Sequence, residues 1–347
     1  MRNNTKPVFV GNVKIGGGSV PIQSMCNTKT EDTAATIDQI NQLYSAGCEI
    51  ARLAVPNINA ANAFDKICSA SPIPVVADIH FDYKLALTCI ANGAAKIRIN
   101  PGNIGSMDKV KEVANACKNR NIPIRIGVNL GSMDEAIEGE FGRTPLAMVK
   151  SALAHIEILN RCDFDDIVIS LKASDVSKTV EAYRLMSKSC KYPLHLGVTE
   201  AGTRYSGIIK SAIGIGSLLL DGIGDTIRVS LTAPPVEEIK AAKEILRAVG
   251  LYEGGAQLIS CPSCGRCQID QVRIANEVEK AIEHIKKPIK VAVMGCAVNG
   301  PGEAKDADIG IAGGDGCALL FKKGVIIRKI DEKDIVKTLI DEIGENL

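Results

Sequence analysis

Cys261, Cys264 and Cys267 stand in the run Cys-Pro-Ser-Cys-Gly-Arg-Cys, and Cys296 follows downstream in a run that continues through Asn299-Gly300-Pro301-Gly302 to Glu303. Thiolates at C-x-x-C spacing can grip one metal centre from a single turn, and a lone cysteine further on closes the site from another segment. Glu303 offers an oxygen ligand where a fourth cysteine is expected. A metal held that way is gripped less tightly and is open to substrate. Cys267 leaves a four-cysteine set open as well. Three thiolates plus one further ligand suit either tetrahedral zinc or a cubane iron–sulfur cluster. Structural zinc sites usually pair two such knuckles or use histidine, and His284, the one histidine of this region, sits among lysines. The glycines around Cys296 let backbone approach a bulky object. The pattern favours an iron–sulfur centre; structural zinc and free thiols are the other readings.

A second set of reactive side chains falls at the ends of short apolar runs. It comprises Arg52, Asp78 with His80, Arg98 with Asn100, Asn129, Lys172, Glu200 and Ser230, with Arg125 inside its run. Taken singly, each reads as a solvated strand end or a helix cap. Together they do not, because three arginines and a lysine on one face repel one another unless an anion joins them. Arginine forks match phosphate oxygens and lysine adds a point charge, so a phosphorylated substrate is expected. Glu200, in Gly-Val-Thr-Glu-Ala-Gly, is a carboxylate among cations. It suits a general acid or base, or a plain counter-ion.

These ends belong to a repeating pattern between residue 21 and about residue 250, in which a short β-rich run gives way to an amphipathic helix. The strands expected are 22–24, 50–54, 75–78, 96–100, 124–128, 167–170, 194–198 and 226–230, with helices such as 34–46, 107–119, 145–161, 176–190 and 236–249. Short apolar strands are those covered on both faces. Eight such units make a (β/α)8 TIM-type barrel, whose chemistry sits at the C-terminal strand ends. A doubly wound open sheet is the alternative, and no G-x-G-x-x-G opens its first helix. Val8–Val10 and Val13–Ile15 flank Gly11-Asn12 and read as a hairpin plugging the barrel bottom. The repeat stops near residues 251–260. Helix 272–286, strand 289–294, strand 309–312, a glycine-rich turn before Cys317, strand 324–330 and helix 334–343 then form a small α+β domain. The expected division is therefore 1–250 for the barrel and 251–347 for the metal domain.

Lys plus Arg number 41 against 40 Asp plus Glu, and aromatic residues are 3% with no Trp. So even a balance, with so few stacking rings, argues against a nucleic-acid binder or a polybasic membrane surface. The N-terminal residues do not resemble a signal peptide and the most apolar window, 211–220, is too short to span a bilayer, so a cytoplasmic protein is expected. In that compartment the 12 cysteines are not a disulfide framework. Cys26, Cys48, Cys68, Cys89, Cys117, Cys162 and Cys190 lie singly in apolar segments, as buried small hydrophobes do.

The runs VPIQSM at 20–25, VADIHFD at 76–82, KIRINPGNIG at 96–105, IRIGVNLGS at 124–132, ISLKAS at 169–174, LGVTEAG at 196–202, ISCPSCGRC at 259–267 and MGCAVNGPGEAKDADIGIAGG at 294–314 carry a resemblance. The chain resembles the bacterial 4-hydroxy-3-methylbut-2-enyl diphosphate synthase family in its compact two-domain form. These are iron–sulfur enzymes of the penultimate step of non-mevalonate isoprenoid synthesis. The resemblance implies a [4Fe-4S] cluster held by Cys261, Cys264, Cys296 and Glu303, with Cys267 outside the ligand set. It implies that 2-C-methyl-D-erythritol 2,4-cyclodiphosphate enters the barrel mouth. Its diphosphate would meet Arg52, Arg98, Arg125, Lys172 and Ser230, with Asn100 and Asn129 nearby. Ferredoxin or flavodoxin would supply two electrons one at a time, and Glu200 would protonate the departing hydroxyl. A homodimer is implied too, with the active site formed between two chains. The rival readings from the residues alone are a phosphate-ester lyase or transferase barrel with a structural zinc tail, and a non-catalytic electron carrier.

Overall fold

The computed structural model describes residues 3–133, 135–297 and 304–344, without the side chains of Pro101 and Ser132. The chain divides into two compact units, one ending at Leu251 and one starting at Tyr252.

The first unit opens on a hairpin of β1 (Val8–Val10) and β2 (Val13–Ile15), antiparallel with Val10 opposite Val13. Gly11 at its turn takes φ +57, a conformation open to glycine at little steric cost. Six strands then lie side by side in chain order, all parallel: β3 (Gln23–Met25), β4 (Ile50–Ala54), β5 (Val75–Asp78), β6 (Lys96–Ile99), β7 (Ile124–Asn129) and β8 (Ile167–Lys172). Two short strands complete the ring. Leu194 bridges Ile169 of β8, β9 (His195–Leu196) pairs with β10 (Thr226–Ile227), and Ile227 bridges Ile22 beside β3. The sheet is thereby closed as an eight-stranded parallel barrel, as the alternation of strands and helices leads one to expect.

Helices α1 (Thr33–Ala46), α2 (Ile58–Ala70), α3 (Tyr83–Ala91), α4 (Met107–Asn119), α5 (Glu135–Phe141), α6 (Pro145–Arg161), α7 (Val176–Ser189), α8 (Arg204–Leu220) and α9 (Pro235–Ala248) connect the strands. Helix α4 shows why they lie as they do. Val110, Val113, Ala114 and Cys117 are its buried residues, at the spacing that puts them on one face. Of the scattered cysteines, Cys89 and Cys117 lie on such faces, Cys26, Cys48 and Cys162 are buried outside them, and Cys68 and Cys190 are half-buried. Burial pushes the thiols of Cys26, Cys48 and Cys68 up to about 12, which keeps them protonated.

The hairpin packs Val8, Val10 and Ile15 against Ile50, Val76 and Val168. Residues from β4, β5 and β8 meet one plug only if they point into the barrel, so this is its lower layer. Side chains two residues further along each strand share that direction. They are Arg52, Asp78 and Ser170, with Lys172 two beyond: the apolar floor gives way to a polar interior.

The second unit is one mixed sheet in the order β11 (Ala256–Ser260), β12 (Ile289–Met294), β13 (Ile309–Gly314), β14 (Cys317–Lys322) and β15 (Val325–Asp331). The first three are parallel and the last two antiparallel. Helix α10 (Gln271–Ile282) connects β11 to β12, and α11 (Ile335–Gly344) ends the described chain. One face of the sheet, with Val291, Val293, Ile311 and Leu320, packs on Ile274, Val278 and Ile282 of α10 and Leu339 and Ile343 of α11. Small residues gather elsewhere, where Ala292, Met294 and Ala312 meet Ala304, Ala307 and Phe321. Strands β11 and β14 escape a reading by periodicity. Among the described residues no helix is long and apolar enough to cross a membrane.

Candidate functional site

Two sites emerge, one in each unit. In the barrel, Asp78, Arg98 and Arg125 stand opposite one another on the neighbouring strands β5, β6 and β7. Arg98 Nη1 donates to Asp78 Oδ1 at 3.1 Å, and Arg52 Nε lies 3.8 Å from Asp78 Oδ2. Burial pushes the Asp78 carboxyl up, but Arg52, Arg98 and Arg125 outweigh it and hold the group below the usual carboxylate range. His80 is exposed, with Nδ1 3.2 Å from Arg98 Nη1. Burial and the neighbouring arginines lower its pKa in spite of Asp78.

The opposite wall holds a second anchored cation. Arg228 donates through Nε and Nη2 to Glu238 of α9 at 3.3 and 3.2 Å. The same carboxylate accepts from Ser24 Oγ at 2.8 Å and Leu231 N at 3.1 Å. Lys172 and Lys96 lie between these walls, Lys96 Nζ donating to Gln23 Oε1 at 3.0 Å. Six buried or nearly buried cations, Arg52, Lys96, Arg98, Arg125, Lys172 and Arg228, thus share one interior with two carboxylates, Asp78 and Glu238. Burial first, and then Arg125, Arg52 and Arg228 around it, hold the Lys172 amine well below the lysine range. Burial likewise lowers Arg52 to about 10.

Several of these donors lack protein partners. Arg125 Nε and Nη1 and Arg98 Nε are buried and unpaired. Arg52 turns Nε and Nη2 to the Met25 thioether at 3.1 and 2.7 Å, a weak acceptor. Buried donors left unmatched are costly, and an excess of positive charge adds to the cost. A multiply charged oxyanion removes both terms.

Two glycines give these cations room. A Cβ at Gly127 would lie 2.7 Å from Arg98 Nε, and one at Gly197 would lie 2.8 Å from Lys172 Nζ. Asn129 is level with Lys172 in the β7–β8 register, and Asn100 Oδ1 is buried without a partner. Ser230 is half-buried just past β10. Glu200 is exposed past β9 with φ +52, a strained setting for a non-glycine residue that recurs at functional sites.

Arg228, Glu238, Lys96 and His195 were not picked out from the sequence. Arg228 had a signal, since Thr226, Arg228 and Ser230 alternate on one face of an expected strand. His195 is fully buried with both ring nitrogens unpartnered. Burial first, then Arg125 and Lys172, depress its pKa well below 6.5. The unfolded chain therefore takes up a proton that the folded ring refuses, and stability falls as pH drops below about 6.5. Asp78, also depressed, adds loss of the same sign at more acid pH, below its usual value of 3.8. Urea unfolding between pH 5 and 7 checks this: His195→Gln flattens the acid limb, and an unchanged limb assigns it to other groups.

In the second unit Cys261 follows β11 and Cys296 follows β12, adjacent parallel strands in which Ser260 pairs with Val293. Both cysteines therefore leave the same edge of the sheet. Cys264 is exposed, Cys296 buried, and Cys261 and Cys267 between. Cys261 Sγ accepts from Gln271 Nε2 at 3.3 Å and from Gly295 N at 3.4 Å, an environment suited to a thiolate. Cys267 instead donates to Ile269 O at 3.1 Å. Among the described residues no three His, Cys, Asp or Glu side chains converge closely enough to hold an ion. Glu303 lies outside the described residues. The soft donors at one sheet edge, and the N–H groups aimed at Cys261, fit an iron–sulfur centre.

Residues 5–243 match a family described as the GcpE TIM-barrel domain, and residues 257–345 one described as the GcpE protein C-terminal domain. A 4-hydroxy-3-methylbut-2-en-1-yl diphosphate synthase (flavodoxin) of Ruminiclostridium cellulolyticum is 58% identical over 99% of this chain and 98% of its own. The protein of the same name in Clostridium perfringens is 58% identical over 98% of each. Among solved structures, a truncated 3-deoxy-D-arabino-heptulosonate 7-phosphate synthase from Thermotoga maritima aligns with a TM-score of 0.52 at 15% identity, over 72% of this chain and 95% of that one. That likeness shows the fold alone.

Proposed function

The chain belongs to the GcpE family, and from that premise we infer that it is a 4-hydroxy-3-methylbut-2-en-1-yl diphosphate synthase, an oxidoreductase of non-mevalonate isoprenoid synthesis. It takes 2-C-methyl-D-erythritol 2,4-cyclodiphosphate, opens the ring with two electrons, releases a hydroxyl as water and leaves a linear allylic diphosphate. The observation that carries this reading is the buried excess of positive charge in the barrel, with arginine donors still unpaired.

Arg52, Arg98, Arg125 and Lys172 bind the diphosphate, with Ser230, Asn100 and Asn129 completing its contacts. Asp78 and Glu238 anchor the arginines before substrate arrives, so little reorganisation is needed on binding. Fixing both phosphates fixes the ring between them and orients the carbon–oxygen bond that breaks. His80 lies beside Arg98 at the rim. Glu200, presented by its turn, is the proton donor to the departing hydroxyl.

Cys261, Cys264, Cys296 and Glu303 would hold a [4Fe-4S] cluster, with Cys267 outside the set. When bound, such a cluster would supply electrons one at a time. Flavodoxin or ferredoxin is the donor, the protein is cytoplasmic, and it works as a homodimer. Sedimentation at the mass of one chain would remove the dimer.

The experiment is metal analysis of protein purified without oxygen, followed by turnover with reduced flavodoxin. About four irons and four sulfides per chain, the content of a cubane cluster, with conversion of the cyclic diphosphate, is the expected result. One zinc and no sulfide overturns it.

A further inference from the structure

We propose that Gln271 is a positioning residue of the cluster site, whose side-chain amide sorts the neighbouring sulfurs and sets the cluster's reduction potential. It holds Cys261 as an acceptor and Cys267 as a donor. The proposal rests on the cluster reading above.

Gln271 opens α10 and is 4% exposed. Its Nε2 lies 2.9 Å from Ser260 Oγ, 2.6 Å from Cys261 O, 3.3 Å from Cys261 Sγ and 3.4 Å from Val293 O. All four can accept, so the nitrogen end of the amide is fixed by its surroundings. The other end, Oε1, faces Cys267 Sγ at 3.5 Å. Cys267 therefore meets two carbonyl-type oxygens, Oε1 and Ile269 O. Cys261 meets two N–H groups, Nε2 and Gly295 N. The first setting asks its sulfur to donate; the second supplies donors to its sulfur. One planar amide enforces both, because exchanging its ends would set Oε1 against the carbonyls of Cys261 and Val293.

The strand end is shaped around this amide. A Cβ at Gly295 would sit 2.3 Å from Gln271 Oε1 and 2.7 Å from Cys267 Sγ. Gly295 thus makes room for the pair, while its N–H serves Cys261 and its carbonyl accepts from Gln268 N at 3.0 Å. The spacing C-x-x-C-x-x-C offers three thiols, and the geometry turns the third away into the core, against which Cys267 packs.

Hydrogen bonds to ligand sulfurs are one determinant of an iron–sulfur potential, because they stabilise the more negative, reduced cluster. Removing the Nε2 donor therefore shifts the midpoint to more negative values. The test is an anaerobic redox titration followed by electron paramagnetic resonance. It compares wild type, Gln271→Met, Gln271→Glu and Cys267→Ala, with iron and sulfide measured on each. Methionine keeps the shape and removes both ends of the amide. Glutamate keeps the acceptor for Cys267 and replaces the donor by a second acceptor.

The midpoint is expected to fall from wild type to Gln271→Met and further to Gln271→Glu, while Cys267→Ala keeps its full iron content. Loss of iron from both Gln271 variants, with far-UV circular dichroism unchanged, overturns the assignment to the potential and leaves the amide a support of the site. A loaded Gln271→Glu protein at the wild-type potential overturns it, and so does loss of iron from Cys267→Ala. Wild type without iron or sulfide overturns the cluster reading itself, and is seen before any variant is compared.

Discussion

Asp78→Asn lowers the unfolding free energy of the ligand-free protein by about 3–5 kcal/mol, the range for breaking a buried ion pair by removing one partner. The reason lies in how few anions the barrel interior holds. Asp78 is 5% exposed, bonds Arg98 at 3.1 Å and lies 3.8 Å from Arg52. Arg125 stands one strand beyond Arg98 in the same register. An amide of the same shape keeps the packing but leaves those arginines facing one another. Glu238 cannot take over, because it is committed to Arg228, Ser24 and Leu231 N.

Inorganic pyrophosphate provides the discriminating arm. A ligand at a hundred times its dissociation constant adds about 2.7 kcal/mol, and in Asp78→Asn it also replaces the missing charge. Urea unfolding with and without pyrophosphate is therefore expected to show a larger gain for the variant than for wild type. A variant within about 0.5 kcal/mol of wild type, the ordinary range for surface changes, would mean that Asp78 does not hold the arginines together. On the proposed reading Asp78, paired with Arg98 and close to Arg52, serves the substrate site by anchoring the arginines that bind it.

The barrel was legible because its strands are short and apolar, and because most of the helices between them carry a buried face like that of α4. The last two strands were harder. Runs drawn over 194–198 and 226–230 pair regularly only at His195–Leu196 and Thr226–Ile227. Beyond them Gly197 makes way for Lys172, and Glu200 turns the chain at φ +52. A buried cation and a sharp turn there interrupt the ladder that periodicity reads.

The cations proposed for substrate were read from strand ends, a rule about position. Lys96 and Arg125 lie earlier in their strands. Arg125 was named inside its run, and Lys96, which opens its expected strand, was not named. Glu238 lay hidden in an amphipathic helix where a glutamate looks like solvent-facing charge; only burial at 3% exposure marks it as Arg228's partner. In the second unit, β14 alternates too weakly to separate from the glycine-rich turn before it. Gln271 looks like an ordinary first-turn residue until Cys261 and Cys267 are placed at its two ends.

Arg98→Ala is expected to cost about 2–5 kcal/mol of substrate affinity, the range for truncating one partner of a buried, hydrogen-bonded charge pair. That corresponds to roughly thirty- to several-thousand-fold in kcat/KM, carried mainly by KM, since the diphosphate is held both before and during ring opening. Arg98 is singled out because it is shared: Nη1 holds Asp78 while Nε is buried and unpaired. Arg98→Lys separates charge from shape. A lysine restores the positive charge but not the planar fork, so it recovers part of the loss and not all of it. Gly127→Ala provides the graded case. It leaves Arg98 in place but sets a methyl 2.7 Å from its Nε, forcing the guanidinium off its strand. If anion binding depends on where the fork points, this one methyl raises KM without removing any charge. Isothermal titration with the cyclic diphosphate measures all three. An affinity unchanged in Arg98→Ala would take the diphosphate away from this wall of the barrel. An affinity changed there but unchanged in Gly127→Ala would reduce the role of Arg98 to its charge.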